Sequence, residues 1–367
     1  MSTARLFFNK GVLVLRGSRL TIVVLVALWL SPVEAQLERP AQPPTPDAVA
    51  QSSKAAFLRL IDRPRVPLAP EETPPLKVDR FVVQRFTFAS EANERVPGIT
   101  VALERPFPAR RPVVIVLHGT GDSKEAMSPL LEHLADRGFI AVAIDGRHHG
   151  ERARQTESYV LAIINAFRTH DGFPFLYDTV WDASRLVDYL QTRVDIDRTR
   201  IGMLGISKGG METYLTAAVD PRVAVAVPVI AAQSFRWGLE NNAWQGRVDT
   251  FQAAMDAAAR DLGLGRPDAA MARAFYDRVA PGIYGQFDGP AMLPLIAPRP
   301  LLLINGDSDE RTPLPGVQEC ATAAESAYQQ QRVSDRFRLF LQLDTGHFFT
   351  PEAQVTALAW LTKWLNP

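Results

Sequence analysis

The chain of 367 residues carries 40 Lys and Arg against 40 Asp and Glu, and 47% of it is hydrophobic. A net charge near zero removes the electrostatic basis for a nucleic-acid partner, and this much apolar material removes wholesale disorder. A single cysteine, Cys320, excludes an intrachain disulfide framework, paired-thiol redox chemistry and a zinc site built from several thiolates.

Arg5, Lys10, Arg16 and Arg19 precede an apolar run from Leu20 to Leu30, and Val33-Glu34-Ala35 follows with small residues where signal peptidase reads them. This order predicts a secretory signal over residues 1–35. A helix of that run would measure roughly 16 Å against a hydrocarbon core of about 30 Å, so an uncleaved membrane anchor is the weaker alternative. No cysteine follows the run as a lipoprotein would need, and Arg16 and Arg19 are not adjacent as a twin-arginine signal requires. Cleavage after Ala35 leaves 36 basic against 39 acidic residues, a weakly acidic secreted or periplasmic protein with no stable membrane insertion.

Pro40, Pro43, Pro44 and Pro46 make Gln36–Asp47 an extended tether, and residues 36–79 as a whole form a proline-rich N-terminal segment. Within it, Phe57, Leu58, Leu60 and Ile61 fall at helical spacing over Lys54–Asp62. Strands are expected at Arg80–Phe88, Ile99–Glu104, Val113–Leu117, Ile140–Ile144, Ile201–Ile206, Val223–Ile230, Leu301–Ile304 and Phe337–Leu343. Helices are expected at Lys124–Arg137, Asp178–Arg193, Lys208–Val219, Gly316–Gln331 and Pro351–Leu365. Such alternation implies an α/β fold with a mostly parallel sheet of eight strands and helices on both faces. The connection over residues 231–300 is too long for one crossover helix, so a helical insertion between the sixth and seventh strands is expected, with a functional use.

Ligands of open parallel sheets bind at the carboxyl ends of the strands. At one of these ends stands Gly205-Ile206-Ser207-Lys208-Gly209, a GxSxG sequence between a strand and a helix. A serine nucleophile needs a base, and of the six histidines only His347 follows Ser207 in the chain. Three acids, Asp307, Asp309 and Glu310, follow the Leu301–Ile304 strand, and spacing does not choose among them; so acidic a loop also suits a solvated turn or a weak calcium site.

These motifs, together with His118-Gly119-Thr120-Gly121, Asp145-Gly146-Arg147-His148-His149-Gly150, Gly306 to Pro313 and Gly346-His347, resemble the α/β-hydrolases over residues 80–367. Within that superfamily the resemblance is to the branch holding dienelactone hydrolases, prolyl-oligopeptidase-like enzymes and acetyl xylan esterases. It implies a catalytic triad of Ser207, Asp309 and His347, since Gly306, Asp309 and Pro313 match the family's GxxDxxxP pattern, with Asp307 in reserve and otherwise structural. It also implies an oxyanion hole from the backbone N–H groups of Lys208 and Thr120. The Lys208 side chain is expected to be solvated or ion-paired, and His118 to orient its own loop. No metal or organic cofactor is required; His148-His149 lacks a third ligand at suitable spacing, and Cys320 reads as a packing residue.

The insertion carries Phe235, Trp237, Trp244, Phe275, Tyr284 and Phe287 beside Arg236, Glu240 and Arg247. Most of these aromatics suit a core, while Trp237 and Trp244 are candidates to wall a substrate pocket near Ser207. The chain is therefore expected to be a secreted serine hydrolase of carboxylic esters, acting on a small-molecule ester or an acylated saccharide. A prolyl-oligopeptidase-like exopeptidase is the second reading, although residues 36–79 are too few for the β-propeller of those enzymes. A silent binding protein on a hydrolase fold is the third.

Overall fold

The computed structural model describes residues 46–104, 110–153 and 158–367. The expected signal segment, and all but the last two residues of the expected tether, lie outside the described residues. Ten strands form one sheet: β1 (Glu71–Glu72), β2 (Leu76–Val78), β3 (Phe81–Glu91), β4 (Glu94–Leu103), β5 (Arg111–Leu117), β6 (Ile140–Ile144), β7 (Ile196–Ile206), β8 (Val223–Val229), β9 (Leu301–Gly306) and β10 (Phe337–Gln342). Their order is β1-β3-β4-β6-β5-β7-β8-β9-β10, with β2 also paired to β3. The strands from β6 to β10 run parallel with β5, and those before β5 pair antiparallel.

Successive residues of β5 face opposite layers, as a pleated strand requires. Val113, Ile115 and Leu117 enter one apolar cluster with the helices Tyr177–Leu190, Lys208–Val219 and Leu314–Gln330. Val114 and Val116 enter the other, with the helices Ser128–Ala135 and Pro351–Leu365. Because both faces are covered, the central strands are fully buried, and each such Val, Leu or Ile contributes about 1.5–3 kcal/mol.

Four local differences from the sequence pattern have physical causes. Strand β4 starts five residues before Ile99 and runs through Pro97-Gly98, because the Phe86 ring of β3 lies over Gly98: a Cβ there would sit 2.2 Å from Phe86 Cζ. The helix expected from Lys124 divides into a 3₁₀ turn, Glu125–Met127, and the helix Ser128–Ala135, with Pro129 in its first turn. The first helix spans Pro46–Ile61, and its Phe57 meets Tyr177 and Phe287 edge-on at centroid distances of 4.9 and 5.0 Å. An unpredicted helix, Ser158–Thr169, packs against the insertion helices Gln252–Asp261 and Ala269–Val279.

The insertion is helical, as its length implies, with further short helices at Phe235–Glu240, Gln245–Val248 and Gly289–Met292. Phe235, Phe251, Phe275 and Tyr276 form an aromatic cluster there, with Phe251 stacked on Phe275 at 5.8 Å and Phe235 edge-on to Tyr276 at 5.5 Å. Among the described residues no helix is long and apolar enough to cross a membrane.

Candidate active site

Strand β7 ends at Ile206, and the helix Lys208–Val219 begins one residue after Ser207. Ser207 adopts φ +55° and ψ −116°, strained for a residue with a Cβ, which raises its hydroxyl out of the turn. The flanking glycines are needed for space. A Cβ on Gly205 would lie 2.1 Å from Gly209 O, and one on Gly209 would lie 2.3 Å from Leu117 O at the end of β5.

The structure brings Ser207, His347 and Asp309 together from three strand ends. His347 Nε2 lies 2.8 Å from Ser207 Oγ, and His347 Nδ1 lies 2.7 Å from Asp309 Oδ2. Asp309 is buried, and its four acceptor positions are well used: Oδ2 also accepts from Thr312 Oγ1 at 2.6 Å, and Oδ1 accepts the Arg311 and Thr312 N–H groups at 2.9 and 3.3 Å. Burial alone would push this carboxyl up, but the hydrogen bonds from His347, Thr312 and the Arg311 amide hold it below the usual range. On His347, burial lowers the pKa, the Asp309 hydrogen bond raises it and the nearby Arg247 charge lowers it again, leaving it below the ordinary histidine value.

Asp307 is placed differently. Its side chain accepts the N–H groups of Asp344 and Thr345 at 3.1 and 3.2 Å, tying down the loop that carries His347. The same two loops touch at Gly306, where a Cβ would meet Thr345 O at 2.2 Å.

The loop after β5 crosses the serine: a Cβ on Gly119 would come within 3.6 Å of Ser207 Cβ. Lys208 N–H occupies the first turn of its helix, where amides lack intrahelical acceptors and the dipole favours negative charge. Thr120 is half-buried and interacts with the Tyr159 hydroxyl of the unpredicted helix, and that hydroxyl donates to Phe175 O at 3.3 Å. His118 is buried, with Nδ1 2.7 Å from Gly119 O and Nε2 accepting the Gly146 N–H at 3.0 Å, an arrangement that requires the Nδ1–H tautomer. Burial, then the Lys208 charge, lowers its pKa to about 4, so the ring is neutral near pH 7.

The Lys208 side chain is buried and ion-paired to Glu212 one turn along the helix, and its ammonium lies 5.6 Å from the Tyr159 ring centroid. Burial pushes the Glu212 carboxyl up to about 7 against the pull of Lys208. His149 packs 4.5 Å from the Tyr159 ring and places Nδ1 2.7 Å from Arg147 O, while Arg147 itself makes two hydrogen bonds to Asp182 at 2.9 and 3.0 Å. Among the described residues no three His, Cys, Asp or Glu side chains are grouped to hold a metal ion. Cys320 is fully buried.

Trp244 lies in the apolar core of the insertion, while Trp237 is half-buried, near Gly316. Among the described residues neither indole is hydrogen-bonded to Ser207, Asp309 or His347. Arg247, given no role by the sequence beyond its place beside the insertion's aromatics, is buried in the short helix Gln245–Val248 and within electrostatic reach of both Asp309 and His347.

Residues 114–359 match the family model described as "Alpha/beta hydrolase family". The chain belongs to this family. A relative named "Putative hydrolase YtaP", from Bacillus subtilis (strain 168), is 26% identical over 334 residues, covering 86% of this chain and 99% of its own. Among solved structures, an acetyl xylan esterase from Paenibacillus sp. R4 superposes with a TM-score of 0.61 at 18% identity, covering 89% of this chain and 96% of its own. The methylesterase BT1017 gives a TM-score of 0.63 at 18% identity; 88% of this α/β-hydrolase is covered, but only 63% of the methylesterase chain. At these identities the two structures establish the common fold, with its mostly parallel sheet flanked by helices.

Proposed function

We propose that this α/β-hydrolase cleaves carboxylic esters through an acyl-enzyme, with Ser207 as nucleophile, His347 as base and then acid, and Asp309 as the carboxylate that orients the imidazole. One observation carries the reading: a single imidazole bridges a strained serine at 2.8 Å and a buried, hydrogen-bonded carboxylate at 2.7 Å. In the first half-reaction His347 Nε2 takes the Ser207 proton as Oγ attacks the ester carbonyl. The oxyanion is received by the N–H groups of Lys208 and Thr120, each worth about 2.7–4 kcal/mol in the transition state. The imidazolium then protonates the leaving alcohol. In the second half-reaction the same nitrogen takes a proton from water, which attacks the acyl carbonyl, and the acid leaves as Ser207 recovers its proton.

The esterase names of the structural relatives favour a small-molecule ester or an acylated saccharide over a peptide as substrate. The proposal includes residues 1–35 as a signal directing export, a proline-rich segment over residues 36–79 and a catalytic domain over residues 80–367. An organophosphonate tests the chemistry: mass spectrometry should find one adduct, on Ser207, together with turnover of p-nitrophenyl acetate. Labelling that survives Ser207→Ala would refute the nucleophile. N-terminal sequencing of exported protein should begin at or near Gln36, and an intact residue 1–35 segment in membrane fractions would refute cleavage.

A further inference from the structure

Arg247 is a buried cation with no ion-pair partner among the described residues. It is 2% exposed, and among the described residues it forms no ion pair; its one hydrogen bond runs from Nε to Gln233 Oε1 at 2.8 Å. Its Nη2 has no hydrogen-bond partner among the described residues. A guanidinium removed from water is expensive unless a hydrogen-bonded anion faces it, and burial here weighs against its charged form. Other buried arginines of this protein are matched: Arg147 with Asp182, and Arg185 with Asp188.

Its position relates the unmet charge to the chemistry. The helix of Arg247 is pressed against the acid loop, since a Cβ on Gly246 would lie 2.3 Å from Glu310 O. The guanidinium is within electrostatic reach of Asp309, His347 and Tyr159. The Tyr276 hydroxyl, also within electrostatic reach of Arg247, is buried and likewise lacks a hydrogen-bond partner among the described residues. A buried planar cation with an unused Nη2 donor and a neighbouring unpartnered phenol suits a carboxylate, which takes two parallel N–H bonds from one guanidinium.

We infer that Arg247 receives a carboxylate of the substrate, so that the preferred esters are anionic and carry a free carboxylate close to the scissile bond. This rests on the ester-hydrolase reading above. Gln233 holds the Nε edge of the guanidinium in place, which leaves the Nη groups for the ligand, and the Tyr276 hydroxyl adds a neutral donor. A carboxylate brings one negative charge to this guanidinium, whereas a phosphate dianion would bring two beside Asp309.

Two matched ester pairs test this. Mono-p-nitrophenyl glutarate against p-nitrophenyl pentanoate places the carboxylate on the acyl side, and 4-acetoxybenzoate against phenyl acetate places it on the alcohol side. In the wild-type protein at low salt, kcat/KM for the anionic member of at least one pair should exceed that of its neutral match tenfold or more, and the ratio should shrink as salt rises. Arg247→Met should lower that ratio at least tenfold, and Arg247→Lys should keep part of it. Equal or reversed ratios in the wild type would overturn the inference without need of a variant, as would a preference that survives Arg247→Met in a protein with unchanged circular dichroism. Turnover of neutral esters with no anionic preference sinks this inference alone. Absence of turnover on all four esters, with Ser207 unlabelled by the phosphonate, sinks the hydrolase reading on which it rests.

Discussion

Replacing Asp309 with asparagine removes one charge and leaves the shape of the side chain, so the consequence follows from the hydrogen bonds around it. The Arg311 and Thr312 amides need an acceptor and will keep the asparagine Oδ1 where the carboxylate Oδ1 now sits. The amide nitrogen then takes the place of Oδ2, 2.7 Å from His347 Nδ1 and 2.6 Å from Thr312 Oγ1. That nitrogen can only donate, so Nδ1 must accept and the ring proton moves to Nε2. The nitrogen facing Ser207 Oγ can then no longer take its proton. The wrong tautomer, and loss of the charge that stabilises the imidazolium, should lower kcat by about 10⁴, or roughly 5.5 kcal/mol of transition-state stabilisation. Initial rates on p-nitrophenyl acetate, with active sites counted by phosphonate titration, measure this directly. Asp307→Asn keeps an oxygen for one loop amide and should stay within about tenfold of wild type. The reasoning is refuted if Asp309→Asn turns over within tenfold of wild type while Asp307→Asn loses three decades, which would move the orienting acid to Asp307.

Three further outcomes follow from the same geometry. Because the base must be a neutral imidazole and burial holds the His347 pKa below the ordinary histidine value, kcat/KM should fall with acid along a limb centred below 6.5; a limb centred above 6.5 contradicts this balance of burial, Asp309 and Arg247. His118 has its pKa lowered from 6.5 to about 4, so its contribution to stability is complete above pH 6.5 and is lost as pH falls toward 4, amounting to about 3 kcal/mol; His118→Gln should flatten the dependence of Tm on pH across that window, and an unchanged slope counts against it. Gly209→Ala would place a Cβ 2.3 Å from Leu117 O and 2.6 Å from His118 O, both backbone atoms, so the turn must shift at a cost of about 1–3 kcal/mol and turnover should drop about 100-fold; thermal melting and initial rates near wild type would show that the close approach is not required.

The parallel part of the sheet was legible because its strands are covered on both faces and read as continuous apolar runs bounded by turns, as at Val113–Leu117 and Ile140–Ile144. Where tertiary contacts override local preference, the sequence was mute. Pro97-Gly98 reads as a turn, and only the ring of Phe86, eleven residues upstream and across the sheet, explains a strand there. Glu71–Glu72 and Leu76–Val78 lie in or beside a proline-rich stretch and are strands only because β3 offers them an edge. The helix Ser158–Thr169 owes its place to insertion helices about 100 residues further along the chain.

The candidate site divides along the same line. Ser207 announces itself because one turn needs glycine at two fixed offsets, and His347 because chain order leaves no other histidine. Asp309 follows from the family pattern, and its contacts with Thr312 and His347 then separate it from Asp307, which spends its oxygens on two backbone amides. For Lys208 the sequence left a solvated or an ion-paired side chain open, and Glu212 and the role of Arg247 could not be read, since a lysine at i and a glutamate at i+4 suit a solvated helix face and an arginine in a long insertion suits the surface. Burial changes their meaning: the same helical pair becomes a buried ion pair at the start of the nucleophile's helix, and the arginine becomes a charge with no ion-pair partner among the described residues. The ion pair offsets its own burial within the chain, whereas a buried arginine without an ion pair costs stability in the free protein and needs a contact from outside it. For Arg247 that contact is the substrate, which is why a preference among esters, rather than a melting temperature, is the quantity that reveals its role.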